Sequence, residues 1–317
     1  MNTPARCVVV VDKYWECDPV CWALTNAYLN DNCGVKLPWP KLVSYPSYGA
    51  VPTQPPTPRL IYATNNIQVE VWCVSDLLSK FPNTPVYQSS SQRKMEVMGQ
   101  IFSYSPSRVD LVVSACTASS GPFCPPFNDQ PQSNVNGSVI VGTEVFIHDG
   151  HPAGNPNPDS QWRCPYFDQL MKSAFSVNEL MKKVRLQSLE TALLCPPNNP
   201  ATSGQHIYGD ASYAALGLIN VTNYTEYTVK DKETGNSFLS KCPGNTGGVS
   251  LETTHGLVYA AARAFFKDTD PPFFFVSGIT DRYTMFDQDV QPKVYAQNVS
   301  CAHNAGVMVA QLVSDLA

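Results

Sequence analysis

No run of lysine or arginine interrupts this sequence, and its formal net charge is −5. That removes the electrostatic footprint that a phosphate backbone or an anionic membrane surface selects, so neither nucleic acid nor a membrane is an expected partner. Nowhere do eighteen apolar residues follow one another, as a membrane-spanning helix requires. The opening MNTPARCVVVVDKYWECD holds four consecutive valines before charge returns, too few for the core of a signal peptide. The chain therefore reads as soluble, not exported and cytoplasmic. Asn-x-Ser/Thr sites at Asn136, Asn220, Asn223 and Asn298 matter only if a leader has been removed. There is no Cys-x-x-Cys pair among eleven cysteines, and Cys17 and Cys21 lack a second ligand pair, so buried thiols are expected in place of a zinc site. No G-x-S-x-G turn occurs, which sets Ser-His-Asp catalysis aside.

What is present is enough apolar residue, 43% of 317, for one large core. The 27 prolines gather in short groups (Pro52 to Pro58, Pro122 to Pro126, Pro196 to Pro200) that punctuate a fold as loops. Strand-like runs are CVVVVD, RLIYAT, VEVWCV, RVDLVVSAC (108–116), SVIVGTEVFIHDG, and segments near 191–195, 205–208 and 224–230. Helical patterns cover 18–30, 95–104, about 166–186, 251–266 and about 293–316. Continuous apolar strands alternating with helices predict a single three-layer αβα domain around a mixed, mostly parallel twisted sheet. Long loops are expected at 34–58, 118–136, 151–165 and 196–204.

In such a sheet, ligands bind beyond the carboxyl ends of the strands. Apolar runs stop at Asp12 to Glu16, at SACTASSG (114–121), at IHDGH (147–151) and at TDR (280–282). A further element, GGVSLETTHG, carries Glu252 at the mouth of an alanine-rich helix.

Together these segments resemble the nucleoside phosphorylase and nucleosidase superfamily. VSLETTHGLVYAAARA followed by FFFVSGITD is similar to that family's V-D-M-E helix opening and V-R-x-I-S-D strand end. VNGSVIVGTEVFIHDG resembles its G-D-V-V-I-x-T-E-x-x-x-H-D run, DLVVSACTASSG stands where its V-V-N-x-G-S-A-G-G turn belongs, and IYGDASY resembles its S-G-D-x-F segment. The likeness runs in order from about residue 8 to 316.

The resemblance implies cleavage of the N-glycosidic bond of a purine nucleoside or a related nucleoside. Asp281 would protonate or hydrogen-bond the leaving base, work that suits a partly desolvated carboxyl. Glu252 would accept from the ribose hydroxyls beside Thr253; Thr117 and Ala118 would form a turn next to base and sugar; Asp210 and Tyr213 would lie along the base. Each has a plainer alternative: Asp281 as the partner of Arg282, Glu252 as a carboxylate suited to a helix dipole, Tyr213 as core. His148 and Asp149 match a pair that is more often structural, and His255 reads as a satisfied interior histidine.

Phosphorylases hold phosphate with a glycine-rich turn after the first strand. VVVVDKYWECDP has no glycine there, and SSSQRKMEV leaves only Arg93 and Lys94 to serve an anion. Glu16 falls within a residue of the place where nucleosidases of the superfamily carry a water-positioning glutamate. Water is thus expected as the nucleophile, with a phosphate-dependent phosphorylase or a non-catalytic binding or storage protein as alternatives. No metal or organic cofactor is implied, because oriented carboxylates in a dry pocket suffice. The expected partner is a small nucleoside, with phosphate as a second ligand under the phosphorylase alternative, and analogy to the family implies a homo-oligomer.

Overall fold

Five of the seven residues from Ala5 to Val11 are valine or cysteine, and the unbroken apolar run from Cys7 on can be buried on both faces of a sheet. A computed structural model of the chain describes residues 5–26, 57–63, 67–80, 90–104, 108–120, 135–149, 169–198, 204–209, 214–219, 249–267, 270–282, 285–291, 294–314 and 316. In chain order the elements are β1 (Ala5–Val11), α1 (Tyr14–Asn26), β2 (Leu60–Ala63), β3 (Ile67–Cys73), α2 (Val74–Lys80), α3 (Ser90–Ser103) and β4 (Leu111–Ser120). There follow β5 (Val139–Gly142), β6 (Glu144–Asp149), β7 (Leu170–Lys172), α4 (Val177–Met181), α5 (Leu186–Glu190), β8 (Ile207–Gly209) and β9 (Ala214–Ile219). The last part holds β10 (Val249–Glu252), α6 (His255–Phe265), β11 (Phe273–Arg282), α7 (Phe286–Asp289) and α8 (Val294–Ser314).

All the strands join one mixed sheet, whose path runs β2-β3-β1-β4-β10-β9-β6-β7, with β11, β5 and β8 branching from β4. β1 pairs in parallel with β3 and β4, and β11 lies parallel to β4 from Phe273 to Arg282. Antiparallel pairs occur at β2–β3, β4–β10, β5–β11 and β6–β7. Side-chain alternation along the strands sends Val9, Val113 and Phe274 into a cluster with α1 and α8, and Val8, Val112 and Phe273 into one with α3 and α6. That is the three-layer α/β arrangement expected from the sequence. Among the described residues, no helix is long and apolar enough to cross a membrane.

One detail of the sheet creates the site. β1 accompanies β4 only as far as Ser114, and β10 enters on the same edge only at Ser119 and Ser120. Ala115 to Ala118 keep β11 on one side and face a split in the sheet on the other. α8 closes against this region because Gly278 lets it approach: a Cβ there would lie 2.0 Å from the Cys301 carbonyl oxygen.

Several expectations are corrected. The helix anticipated over 166–186 is, within the described residues, an edge strand β7 paired to β6 and then two short helices, α4 and α5. The segment between them follows its tertiary partners: Ser173 N donates to the Thr143 carbonyl, and Ala174 N to Asp270. Residues 191–195 are a turn, with Leu194 N bonded to the Asn304 side chain instead of a strand neighbour. Leu251 and Glu252 belong to β10, and the helix starts at His255. Residues 224–230 and most of the anticipated loops lie outside the described residues.

Candidate active site

Glu16 lies in the first turn of α1, where its Oε2 accepts the Lys13 backbone N–H at 2.9 Å. This is half of a capping box, and it fixes the side chain over the split in the sheet. Its Oε1 takes 2.7 Å bonds from both the backbone N–H and the hydroxyl of Thr117. The split leaves the Thr117 N–H without a strand partner, and Glu16 supplies the acceptor. Burial, together with the neighbouring Asp12 charge, pushes Glu16 up to about 7.

Asp281 owes its orientation to a break in register. β11 and β4 stay in step from Gly278 opposite Thr117 to Ile279 opposite Ala118, then Asp281 faces Ser119, leaving Thr280 as an extra residue. A bulge of this kind turns the following side chain. The Ser119 hydroxyl donates to Asp281 Oδ2 and the Thr280 hydroxyl to Oδ1, each at 2.6 Å. Arg282 pairs instead with Asp289, at 2.9 Å from Nε and 2.7 Å from Nη2, so the simple ion pair with Asp281 is not what the structure builds. Burial pushes the Asp281 carboxyl up to about 6.

Glu252, the last residue of β10, accepts the His255 N–H at 2.8 Å and the Thr254 N–H on Oε2. Its Oε1 is buried with no hydrogen-bond partner among the described residues. Burial pushes Glu252 up to about 7 as well. His255 is fully enclosed, with Nδ1 2.7 Å from the Ser114 hydroxyl and Nε2 2.9 Å from that of Ser277, which in turn meets the Ser250 hydroxyl at 2.8 Å. Burial holds it down at about 3, so it is neutral and structural, as expected. Cys116, Glu252 and His255 have the spacing of a metal-binding group. Both imidazole nitrogens are committed to serines and burial keeps the Cys116 thiol protonated, so the set reads as a hydrogen-bonded floor to the cleft.

These groups line one cleft of about 240 Å³, with Asp12, Lys13, Trp15, Glu16, Cys116, Thr117, Ala118, Ser119, Leu251, Glu252, Thr253, Thr254, Thr280, Asp281 and Asn298 on its walls. It lies just below the roughly 300–1,000 Å³ of ordinary ligand pockets, a size for one small ligand. Glu16, Thr117, Ala118, Glu252, Thr253 and Asp281 are therefore together, as the sequence anticipated. Thr117 and Ala118 lie within straight strand, not a turn, because β11 holds their backbone. Lys94 is not an open anion site: its Nζ is 2.8 Å from Asp12 Oδ2. Arg93 lies on α3 with its side chain outside the described residues, as are Asp210, Tyr213 and the side chains of His148 and Asp149. Sequence reasoning missed Ser119 and Thr280, the donors to Asp281; the two-residue step from Thr117 to Ser119 is the signal that could have found the first.

No protein-family model matches this chain, and no curated protein matches it. Solved structures match it in fold. The 5′-methylthioadenosine nucleosidase of Arabidopsis thaliana, in apo form, is 12% identical over 99% of this chain and 97% of its own, with a TM-score of 0.51. The 5′-methylthioadenosine/S-adenosylhomocysteine nucleosidase of Helicobacter pylori with butyl-thio-DADMe-Immucillin-A is 12% identical over 98% and 99%, at 0.52. Futalosine hydrolase of Helicobacter pylori is 11% identical over 98% and 97%, at 0.50. The chain thus shares the α/β fold of these nucleosidases, the nucleoside phosphorylase-like fold that the order of its motifs implied.

Proposed function

We propose that this protein hydrolyses the N-glycosidic bond of a purine nucleoside or a related nucleoside. The observation that carries the reading is that Glu16 and Asp281, both buried carboxyls with raised proton affinity, are fastened to the same strand within one cleft that also contains Glu252 Oε1, which has no hydrogen-bond partner among the described residues. Fold neighbours named as nucleosidases lend support to the class of reaction.

Breaking the bond puts negative charge on the base and positive charge on the sugar. Asp281, protonated, gives its proton to a ring nitrogen of the base as the C–N bond opens. Glu252 Oε1 accepts from the ribose hydroxyls and fixes the sugar. Ionised Glu16 takes a proton from the water that adds to the anomeric carbon, and the ring of carboxylates favours the cationic sugar. Water is preferred over phosphate because Lys13, the cation in the cleft lining, and Lys94 both face the Asp12 carboxylate, and four acidic side chains, Asp12, Glu16, Glu252 and Asp281, line the cleft. By analogy, the same proposal includes a homo-oligomer.

The test is release of free base from a panel of purine and pyrimidine nucleosides, with and without phosphate. Phosphate-independent release lost in Asp281→Asn supports the reading. Release that requires phosphate would replace it with phosphorolysis. No release, with a nucleoside still raising the melting temperature, would make the protein a binder.

A further inference from the structure

Two carboxylate oxygens on the cleft wall are buried without a hydrogen-bond partner among the described residues, Glu252 Oε1 and Asp12 Oδ1. The ribose hydroxyls account for the first under the function proposed above. Nothing so far accounts for the second. Asp12 follows β1 directly and is 3% exposed. Its Oδ2 accepts the 2.8 Å bond from Lys94 and lies 3.6 Å from Lys13 Nζ. Its backbone carbonyl accepts from both the N–H and the hydroxyl of Ser75, each at 2.9 Å. The group is therefore fixed from two sides, and the Thr254 side chain beside it helps hold the carboxyl below its ordinary value, while Oδ1 has no partner in hydrogen-bond geometry among the described residues. Buried charged oxygens are almost always paired, and among the described residues none supplies a donor to this one, held rigidly on a cleft wall.

The location indicates which donor. β1 alternation puts Asp12 on the same face as Val8 and Val10, toward α3 and α6. There its charge acts on both Glu16 and Glu252, the two groups assigned to water and sugar. Asp281, assigned to the base, is bonded instead to Ser119 and Thr280. A ribosyl group has three hydroxyls, and the adjacent pair suits the single oxygen of Glu252. The remaining one is on the 5′ carbon.

We propose that Asp12 is a third substrate-contacting carboxylate, whose Oδ1 accepts a hydrogen bond from a 5′-hydroxyl or 5′-amino group of the sugar. The preferred substrate then carries a polar donor at the 5′ position, and a 5′-deoxy or 5′-thioether nucleoside leaves the carboxylate oxygen unsatisfied. Lys94 fixes the other oxygen and keeps the group ionised. This inference rests on the nucleosidase reading.

The experiment compares base release and thermal shift for adenosine, inosine, 5′-amino-5′-deoxyadenosine, 5′-deoxyadenosine and 5′-methylthioadenosine. Wild-type protein should favour the 5′-hydroxyl and 5′-amino compounds by roughly 10- to 100-fold in kcat/KM, the scale of one hydrogen bond to a charged group. The ratio should fall toward one in Asp12→Asn and in the paired Asp12→Ala, Lys94→Met protein, which leaves no lone buried charge. Selective binding without cleavage would support Asp12 while removing the catalytic reading. Equal cleavage of 5′-hydroxyl and 5′-deoxy compounds by wild-type protein, or preference for the thioether, would overturn the inference and leave the nucleosidase intact. Discrimination retained in the paired variant would overturn it too, and no cleavage and no binding of any compound would overturn both.

Discussion

Glu16 and Asp281 are held by hydroxyls two residues apart on one strand: Thr117 donates to Glu16 at 2.7 Å and Ser119 to Asp281 at 2.6 Å. Two residues of strand span roughly 6.6 Å. Carboxyl pairs that flank a sugar and an attacking water in inverting glycosidases stand about 6.5–9.5 Å apart. The strand thus spaces the anchors of the two carboxyls that the proposed reaction uses as base and acid.

Asp281→Asn should lower kcat for base release by roughly 100-fold or more, the usual scale for a general acid, with KM changed only a few-fold. Glu16→Gln should do the same through the water. Initial rates at saturating nucleoside measure both, and an Asp281→Asn protein of undiminished kcat would remove the acid from that position.

The pH profile follows from the two proton affinities. Asp281, pushed up to about 6, must hold its proton, and Glu16, pushed up to about 7, must be ionised. Because the acid's value lies below the base's, the productive form is a minority of the protein at every pH, and its share is greatest between about 6 and about 7. The expected kcat/KM profile is a narrow bell that falls below about 6 and above about 7. A flat profile through neutrality would contradict the assignment.

Stability should vary with pH in the opposite sense to that of an ion-paired carboxylate. Glu16 moves from 4.5 to about 7 on folding, so the native state binds the extra proton and its stabilising contribution is full below about 4.5. It is lost as pH rises through about 7. Glu16→Gln stays neutral, so its melting temperature relative to wild type should climb between about 4.5 and 7 and then level off. A constant difference across that window would show that Glu16 is not buried as described.

His255→Ala should destabilise by about 2–4 kcal/mol, because it opens a cavity and strands the hydroxyls of Ser114 and Ser277. Urea unfolding reads this directly. A midpoint unchanged from wild type would mean the serine chain is not a structural brace.

Gly278→Ala should cost about 3 kcal/mol, the upper end of the usual overpacking scale, since its Cβ would meet the Cys301 carbonyl at 2.0 Å and the obstacle is backbone. Gly99→Ala on α3 meets nothing within 4 Å and should stabilise by about 0.5–1 kcal/mol through helix propensity. Thermal unfolding of the two variants should therefore move in opposite directions.

Much of the fold was legible because unbroken apolar runs such as CVVVV and FFFV fit only strands covered on both faces, and a layered α/β sheet follows from their alternation with helices. The 166–186 segment was not, because its apolar spacing suits a helix as well as the short edge strand that β6 imposes on Leu170 to Lys172. Glu252 was recognised as a site residue but assigned to a helix, since four residues of strand carry too little pattern to separate from the helix after them.

By itself the sequence determined which carboxylates were available, and that Glu16 and Asp281 followed apolar strand runs while Glu252 stood at the mouth of a helix. Only the tertiary structure decided what each is bonded to. The bulge at Thr280 turns Asp281 toward Ser119, and the split between β1 and β10 exposes the Thr117 N–H to Glu16. Lys94 is joined to Asp12 across 82 residues of chain. These are relations of register and approach between segments distant in sequence. No local pattern carries them, because they arise only when neighbouring strands compete for the same edge.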